Sequence, residues 1–246
     1  MQLDARLRLF LFLAATFCTC LVVGDLIGGK LISTTVMGLP FTTTVGMLPF
    51  PVTFLLTDLI NEFYGQKAAR FVTWVGFFMA ALAFAIVYLA AAVPIAEMTR
   101  SADWTGVRSE AFDNVFLGSL RMLAASLMAY LVAQFVDIGV FHALRNLTQE
   151  RHLWLRATGS TAASQLIDTV VINLVAWVGM MPLQKIFEIM ISAYLLKLLI
   201  ALGLTPLVYA GHRLVQGGLG IRPYRIASDL ATTSTVNDQS ESIVDA

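Results

Sequence analysis

The chain has 246 residues, of which 58% are apolar and only 13% charged. Soluble domains carry about 25% charged residues, and one of this size cannot hide so much apolar surface. Sixteen basic and sixteen acidic residues cancel, so the chain lacks the charge signature of nucleic-acid binding, and a soluble enzyme, a disordered chain and a disulfide scaffold are all disfavoured.

At about 20 residues per membrane crossing, the pattern predicts an all-α integral membrane protein with six transmembrane helices. Residues 1–227 form the expected membrane domain. Residues 228–246, rich in Ser, Thr and Asp, read as a polar disordered tail. The first span runs from about Leu7 to Ile32. Arg6 and Arg8 before it mimic a signal peptide, but no clean cleavage site follows, so it is expected to be retained. Cys18 and Cys20 lie within it, at neither a redox nor a zinc spacing, and are expected to be small buried residues. Gly24 and Gly28 make a close-packing motif.

Residues 33–45 are β-branched on both sides of Gly38-Leu39-Pro40, which predicts a short hairpin or re-entrant segment. Pro49 and Pro51 suit the start of a short second span, and Tyr64-Gly65 its end. Further spans are expected at about Ala69–Ile95, Phe112–Phe141, Ala157–Met181 and Ile186–Tyr209. One side then collects Arg6, Arg8, Lys67, Arg70, Arg145, Arg151, Arg156, Arg213, Arg222 and Arg225. The other side has Arg100, Arg108 and Lys185. This asymmetry places both termini in the cytoplasm.

Charges inside the spans cost at least about 2.5–3.5 kcal/mol each and need a partner or a polar site. They are Asp25, Lys30, Asp58, Glu62, Arg121, Asp137, Asp168 and Lys197. Acids outnumber bases, so two acids are expected without a basic partner. Asp58, Asn61 and Glu62, then Gln134 and Asp137, then Gln165, Asp168 and Asn173 recur at spacings that share a helix face. Asp58, Asp137 and Asp168 fall at similar depth in the cytoplasmic half, which favours a binding site over interhelical glue. Asp25, Lys30 and Arg121 lie nearer the outer side, and Lys197 near the middle. The blocks 133–137 and 164–168 resemble each other on oppositely directed helices, as in an inverted repeat. His142, His152 and His212 have no second ligand at metal spacing and are expected at the surface; no metal or cofactor is expected.

Residues 50–65, FPVTFLLTDLINEFYG, with FVDIGVF at 135–141 and SQLIDT at 164–169, resemble the signature blocks of the queuosine precursor transporter family, within the vitamin uptake transporter group. The resemblance covers about Asp25 to Arg213. It implies a six-helix bacterial inner-membrane importer of deazaguanine bases (the cyano and aminomethyl forms, or queuine) that feed transfer RNA modification. The expected partners are that small molecule and the lipid bilayer, with no nucleic acid and with self-association open. A carboxylate accepts the paired N–H donors of a guanine-like edge, and an amide serves its ring carbonyl. Asp137 or Asp168 is expected to take that edge, with Gln134, Gln165 and Asn173 beside it and Phe135 or Phe54 stacked on the ring. Asp58, Asn61 and Glu62 are assigned to the inner gate or to proton transfer. Asp25, Lys30 and Arg121 are assigned to an outer ion-pair network, and Lys197 is assigned with them to ion pairing or coupling.

A rival reading is the substrate-capture subunit of an energy-coupling-factor importer, which needs an ATPase module docked on Ala14, Cys18 and the Gly24–Gly28 face. An intramembrane aspartyl protease is a further class, but Asp137 and Asp168 lack the flanking residues expected for it.

Overall fold

The computed structural model of the chain describes residues 4–36, 39–101, 103–117, 120–149, 152–180 and 182–224. In chain order the elements are α1 (Ala5–Ile27), β1 (Leu31–Val36), β2 (Leu39–Thr44), α2 (Phe50–Ala92), α3 (Ser109–Phe116), α4 (Leu120–Leu147), α5 (Leu153–Trp177) and α6 (Leu183–Arg213). A short 3-10 turn at Val45–Met47 leads into α2, and a five-residue π turn, Leu214–Gly218, follows α6.

The first predicted span is shorter than expected, because its last residues pass into β1. β1 and β2 pair antiparallel, with Leu31 opposite Thr44 and Val36 opposite Leu39. The segment is therefore a hairpin, and the Val45 N–H closes its base on the Lys30 carbonyl at 2.8 Å. Residues 37 and 38 lie outside the described residues.

α2 covers the second and third predicted spans in one element of 43 residues. Gly65 interrupts it at φ 79°, ψ 177°, a conformation essentially confined to glycine. The contacts with α1 show that the chain doubles back there. At the start of α1, Arg6 donates to the Phe63 carbonyl (2.8 Å) and its own carbonyl accepts from the Tyr64 hydroxyl (2.7 Å). Near the end of α1, a Cβ on Gly24 would sit 3.0 Å from Pro49, so that glycine makes the close contact its motif suggested. The Phe50–Tyr64 arm thus runs antiparallel to α1. Phe17, in the middle of α1, packs on Gly76; a straight α2 would carry Gly76 about 20 Å beyond Phe63.

The fourth predicted span is divided. Its beginning is α3, a separate eight-residue helix, and α4 extends past Phe141 to Leu147. α5 begins four residues before the predicted Ala157 and ends at Trp177, while Met181 lies outside the described residues. Both changes bring Arg145 and Arg156, read from sequence as loop charges, into helices and bury them. Contacts fix the remaining directions. Ser126 of α4 meets Asp25 near the Phe50 end, and Arg145 reaches Tyr224 near the Gly65 end. α5 returns from Arg156, beside Glu62, and α6 descends again to His212, also beside Glu62.

Among the described residues, four stretches are long and apolar enough to cross a membrane: Ala5–Ile27, Val45–Ala92, Ala124–Leu147 and Leu183–Gly218. The second contains the reversal at Gly65. α5 is not among them, because Ser160, Thr161, Ser164, Gln165, Asp168, Thr169 and Asn173 make one side of it polar. All seven are buried against neighbouring helices. The apolar core gathers Leu13 and Phe17 of α1, Leu56, Leu59, Ile60 and Phe63 of α2 and Ile138 of α4. Val215 and Ile221, beyond α6, join the same cluster.

Candidate functional site

The interior of the bundle is polar at three levels. Asp58, Asn61, Glu62, Asp137, Gln165, Asp168, Asn173 and Lys197 are all buried, Asn61 completely, and Gln134 is half-buried. A charge or amide is retained in such a place only with partners or with work to do.

The middle level contains Asp58 of α2 and Asp137 of α4. Their carboxylates lie close enough to interact electrostatically. Ser160 donates within its own helix to the Ala157 carbonyl at 3.2 Å, and one turn later on α5 Ser164 donates to Asp137 Oδ1 at 3.2 Å. This contact also sets the two similar blocks of α4 and α5 side by side. Asp58 projects into a narrow cleft lined by Phe54 and Leu55, by Ala157, Thr158 and Thr161 of α5, and by Ala201, Leu204 and Val208 of α6. In this conformation the cleft has room for about one water molecule.

Toward the Gly65 end lies an ion pair. Arg156 Nη2 is 2.6 Å from Glu62 Oε1, with both side chains 4% exposed, and His212 Nε2 is 3.5 Å from the same oxygen. The His212 ring packs on Phe63 at 5.2 Å. The opposite level holds a second ion pair, Lys197 Nζ to Asp168 Oδ2 at 2.5 Å, with the ammonium 5.4 Å above the Phe50 ring. Asp25 accepts from Ser126 at 2.9 Å.

Asp58 and Asp137 are absent from both ion pairs. Several buried atoms have no hydrogen-bond partner among the described residues: Asp58 Oδ1, Asp137 Oδ2, both amide atoms of Asn61, Gln165 Oε1 and Thr169 Oγ1. Each such atom costs about 1–3 kcal/mol while unpaired; Asp58 lines the cleft itself, and unmet buried polar groups of this kind mark a place built for a polar guest.

The sequence grouped Asp58, Asp137 and Asp168 at one depth. The structure brings the first two together and commits Asp168 to Lys197. Asn173 turns its amide back to the Thr169 carbonyl (2.8 Å), further from the cleft than Asp168. Phe54 lines the cleft, whereas Phe135 packs edge-on against Trp74 at 5.7 Å. Lys30 is exposed, and the Arg121 side chain lies outside the described residues. His212, expected at the surface, sits instead against Glu62 and Phe63. Arg145, Arg156, Ser160 and Ser164 were not among the sequence candidates. Arg156, Ser160 and Ser164 recur every four residues, so the polar face of α5 was readable once its helix began before Arg156.

Long apolar helices around a buried set of acids, amides and hydroxyls define a polytopic membrane protein with a polar site inside the bundle, the layout of a small-molecule transporter. Residues 44–211 match the model of the vitamin uptake transporter family. A Bacillus subtilis protein named "Probable queuosine precursor transporter" is 33% identical over 175 residues, 71% of this chain and 73% of that protein. The "Queuosine precursor transporter" of Escherichia coli K12 is 34% identical over 139 residues, 56% of this chain and 57% of that protein. A Haemophilus influenzae protein with the same name as the first is 31% identical over 137 residues, 56% of this chain and 53% of that protein. No solved structure matches the chain. The chain belongs to the vitamin uptake transporter family: it is a transporter rather than an enzyme, and a multi-pass protein of the bacterial inner membrane.

Proposed function

We propose that this transporter imports a queuosine precursor, a neutral deazaguanine base, and that the base binds between α2, α4, α5 and α6. One observation carries the reading. Asp58 and Asp137 are buried outside both ion pairs, each with an unpartnered carboxylate oxygen, and Asn61 and Gln165 hold unpartnered amide atoms. A deazaguanine offers a complementary edge. Its ring N–H and exocyclic amine donate in parallel to one carboxylate, and its ring carbonyl accepts from an amide. Asp137, oriented by Ser164, takes the donor edge. Asp58, Asn61 and Gln165 complete the contacts, and Phe54 covers the ring face. Asp168 is held by Lys197 and keeps α5 against α6. Because the cleft is narrow, the base enters only as the Phe50 arm of α2, α5 and α6 separate.

In this reading α1, the two arms of α2, α4, α5 and α6 are the six membrane spans. The start of α1 and the end of α6 lie at the Gly65 end, and the basic residues Arg6, Lys67, Arg70 and Arg213 assign that end, and with it both termini, to the cytoplasm. The energy-coupling-factor alternative would dock an ATPase module on Ala14, Cys18 and Gly24. Ala14 and Cys18 pack, partly buried, against this chain's own core, and Gly24 meets Pro49, which favours a self-contained carrier.

The test is a strain that neither makes nor imports queuosine precursors. It expresses the chain, receives each deazaguanine base separately, and is scored by modified transfer RNA. Wild type restores the modification. Asp137→Asn and Asp58→Asn at matched membrane abundance lose most of it. Full uptake by both variants refutes the site, and no response to any base by wild type refutes the substrate. Transport by the purified chain in vesicles separates the carrier from the ATPase-dependent reading.

A further inference from the structure

Leu214–Tyr224, after α6, is bound to the bundle more tightly than a loop requires. The break at Gly65 leaves the carbonyls of Glu62 and Phe63 without ordinary helical donors. Two distant groups replace them. The Tyr224 N–H donates to the Glu62 carbonyl at 2.9 Å, and Arg6 donates to that of Phe63. The Tyr224 ring occupies the space a side chain at position 65 would need, 2.8 Å from an ideal Cβ. Its carbonyl accepts from Arg145 of α4. Ile221 is buried with Val215 in the main core.

These contacts form a second barrier beneath a first. Glu62, Arg156 and His212 sit one turn beyond Asp58, directly before Ala157, and one turn beyond Val208, all toward the Gly65 end. They are the floor of the cleft. Tyr224 lies one layer further along, beside Gly65. Glu62 belongs to both layers: its side chain pairs with Arg156 and its carbonyl holds Tyr224. The segment hangs from Gly217, Gly218 and Gly220, around which an added Cβ would meet nothing within 4 Å. That is room for a hinge.

We propose that Leu219–Tyr224 is a hinged strap that locks the inner end of the pathway, and that its release is coupled through Glu62 to opening of the Glu62–Arg156 floor. Arg145 and Tyr224 are thus positioning residues for transport. The direction "inner" rests on the orientation proposed above.

The experiment reads access without substrate. In a Cys18→Ala/Cys20→Ala background, Ala157→Cys reports the cleft through its alkylation by a membrane-impermeant maleimide. Right-side-out and inverted vesicles are compared. With the strap intact, alkylation is slow in both. Tyr224→Pro removes both the donor and the ring, and is expected to raise the rate about tenfold in inverted vesicles only, the scale of losing one or two hydrogen bonds. An equal rate with and without the substitution overturns the strap. Acceleration in right-side-out vesicles only supports the strap and overturns the orientation. If Tyr224→Pro does not yield folded protein, Gly217→Ala/Gly218→Ala decides, since it keeps every strap contact while stiffening the hinge. It is expected to slow alkylation from the inner face several-fold; an unchanged rate overturns the hinge.

Discussion

Removing one partner of the Glu62–Arg156 pair tests whether this contact closes the bundle. The groups are 2.6 Å apart and 4% exposed, so neither charge can turn to water when its partner is lost. Charge centres about 4 Å apart at an effective dielectric of about 20 attract by about 4 kcal/mol. Breaking a buried pair from one side typically costs about 3–5 kcal/mol. Arg156→Met keeps much of the side-chain length and leaves the Glu62 carboxylate, among the described residues, with His212 at 3.5 Å. In detergent its thermal midpoint, followed by intrinsic fluorescence, is expected to fall by on the order of 10 °C. Glu62→Gln/Arg156→Met removes both charges and is expected to recover most of that fall, because the cost of a buried charge disappears with the charge. The midpoint is the appropriate quantity, since membrane proteins seldom unfold reversibly. If Arg156→Met melts within about 2 °C of wild type, less than about 1 kcal/mol is involved and the pair does not hold the floor.

Gly65→Ala is expected to destabilise the protein by about 1–3 kcal/mol through its backbone conformation alone, with a further clash against the Tyr224 ring. The yield of monodisperse protein and its thermal midpoint both read this, and an unchanged midpoint would mean that the reversal tolerates ordinary residues. Lys197→Met leaves Asp168 buried beside Phe50 and is expected to lower the midpoint, while Lys197→Met/Asp168→Asn restores it; failure of the double variant to restore would show that the two groups act independently. Phe54→Ala is expected to weaken deazaguanine binding by about 1–3 kcal/mol, the scale of stacking a base on an aromatic ring. Titration calorimetry measures it, and an unchanged Kd removes Phe54 from the site.

Much of the bundle could be read along the chain. Tyr64-Gly65 marked a helix end because only glycine adopts the conformation found there. Proline and β-branched residues announced the hairpin and the start of α2. The polar residues of α2, α4 and α5 were legible because an apolar solvent makes each of them an exception. Helix ends were less legible. The start of α5 lies in a polar, basic stretch with no capping side chain, so Arg156 was read as a loop charge. The charge pairing was equally out of reach, because Glu62 and Arg156 are 94 residues apart.

The sequence alone determined that the chain lives in a membrane, that its helices carry more buried acid than base, and which faces hold those acids. Periodicity and solvent explain this, since both act on neighbours along one helix. Only the tertiary structure decided which acids keep partners. It gave Glu62 to Arg156 and Asp168 to Lys197, and left Asp58 and Asp137 buried outside both pairs, Asp58 on the wall of a cleft. Pairing depends on the relative rotation and depth of helices, which many packed side chains set together. The low charge content marked the solvent. The fold turned the remaining charges into a floor, a latch and a site.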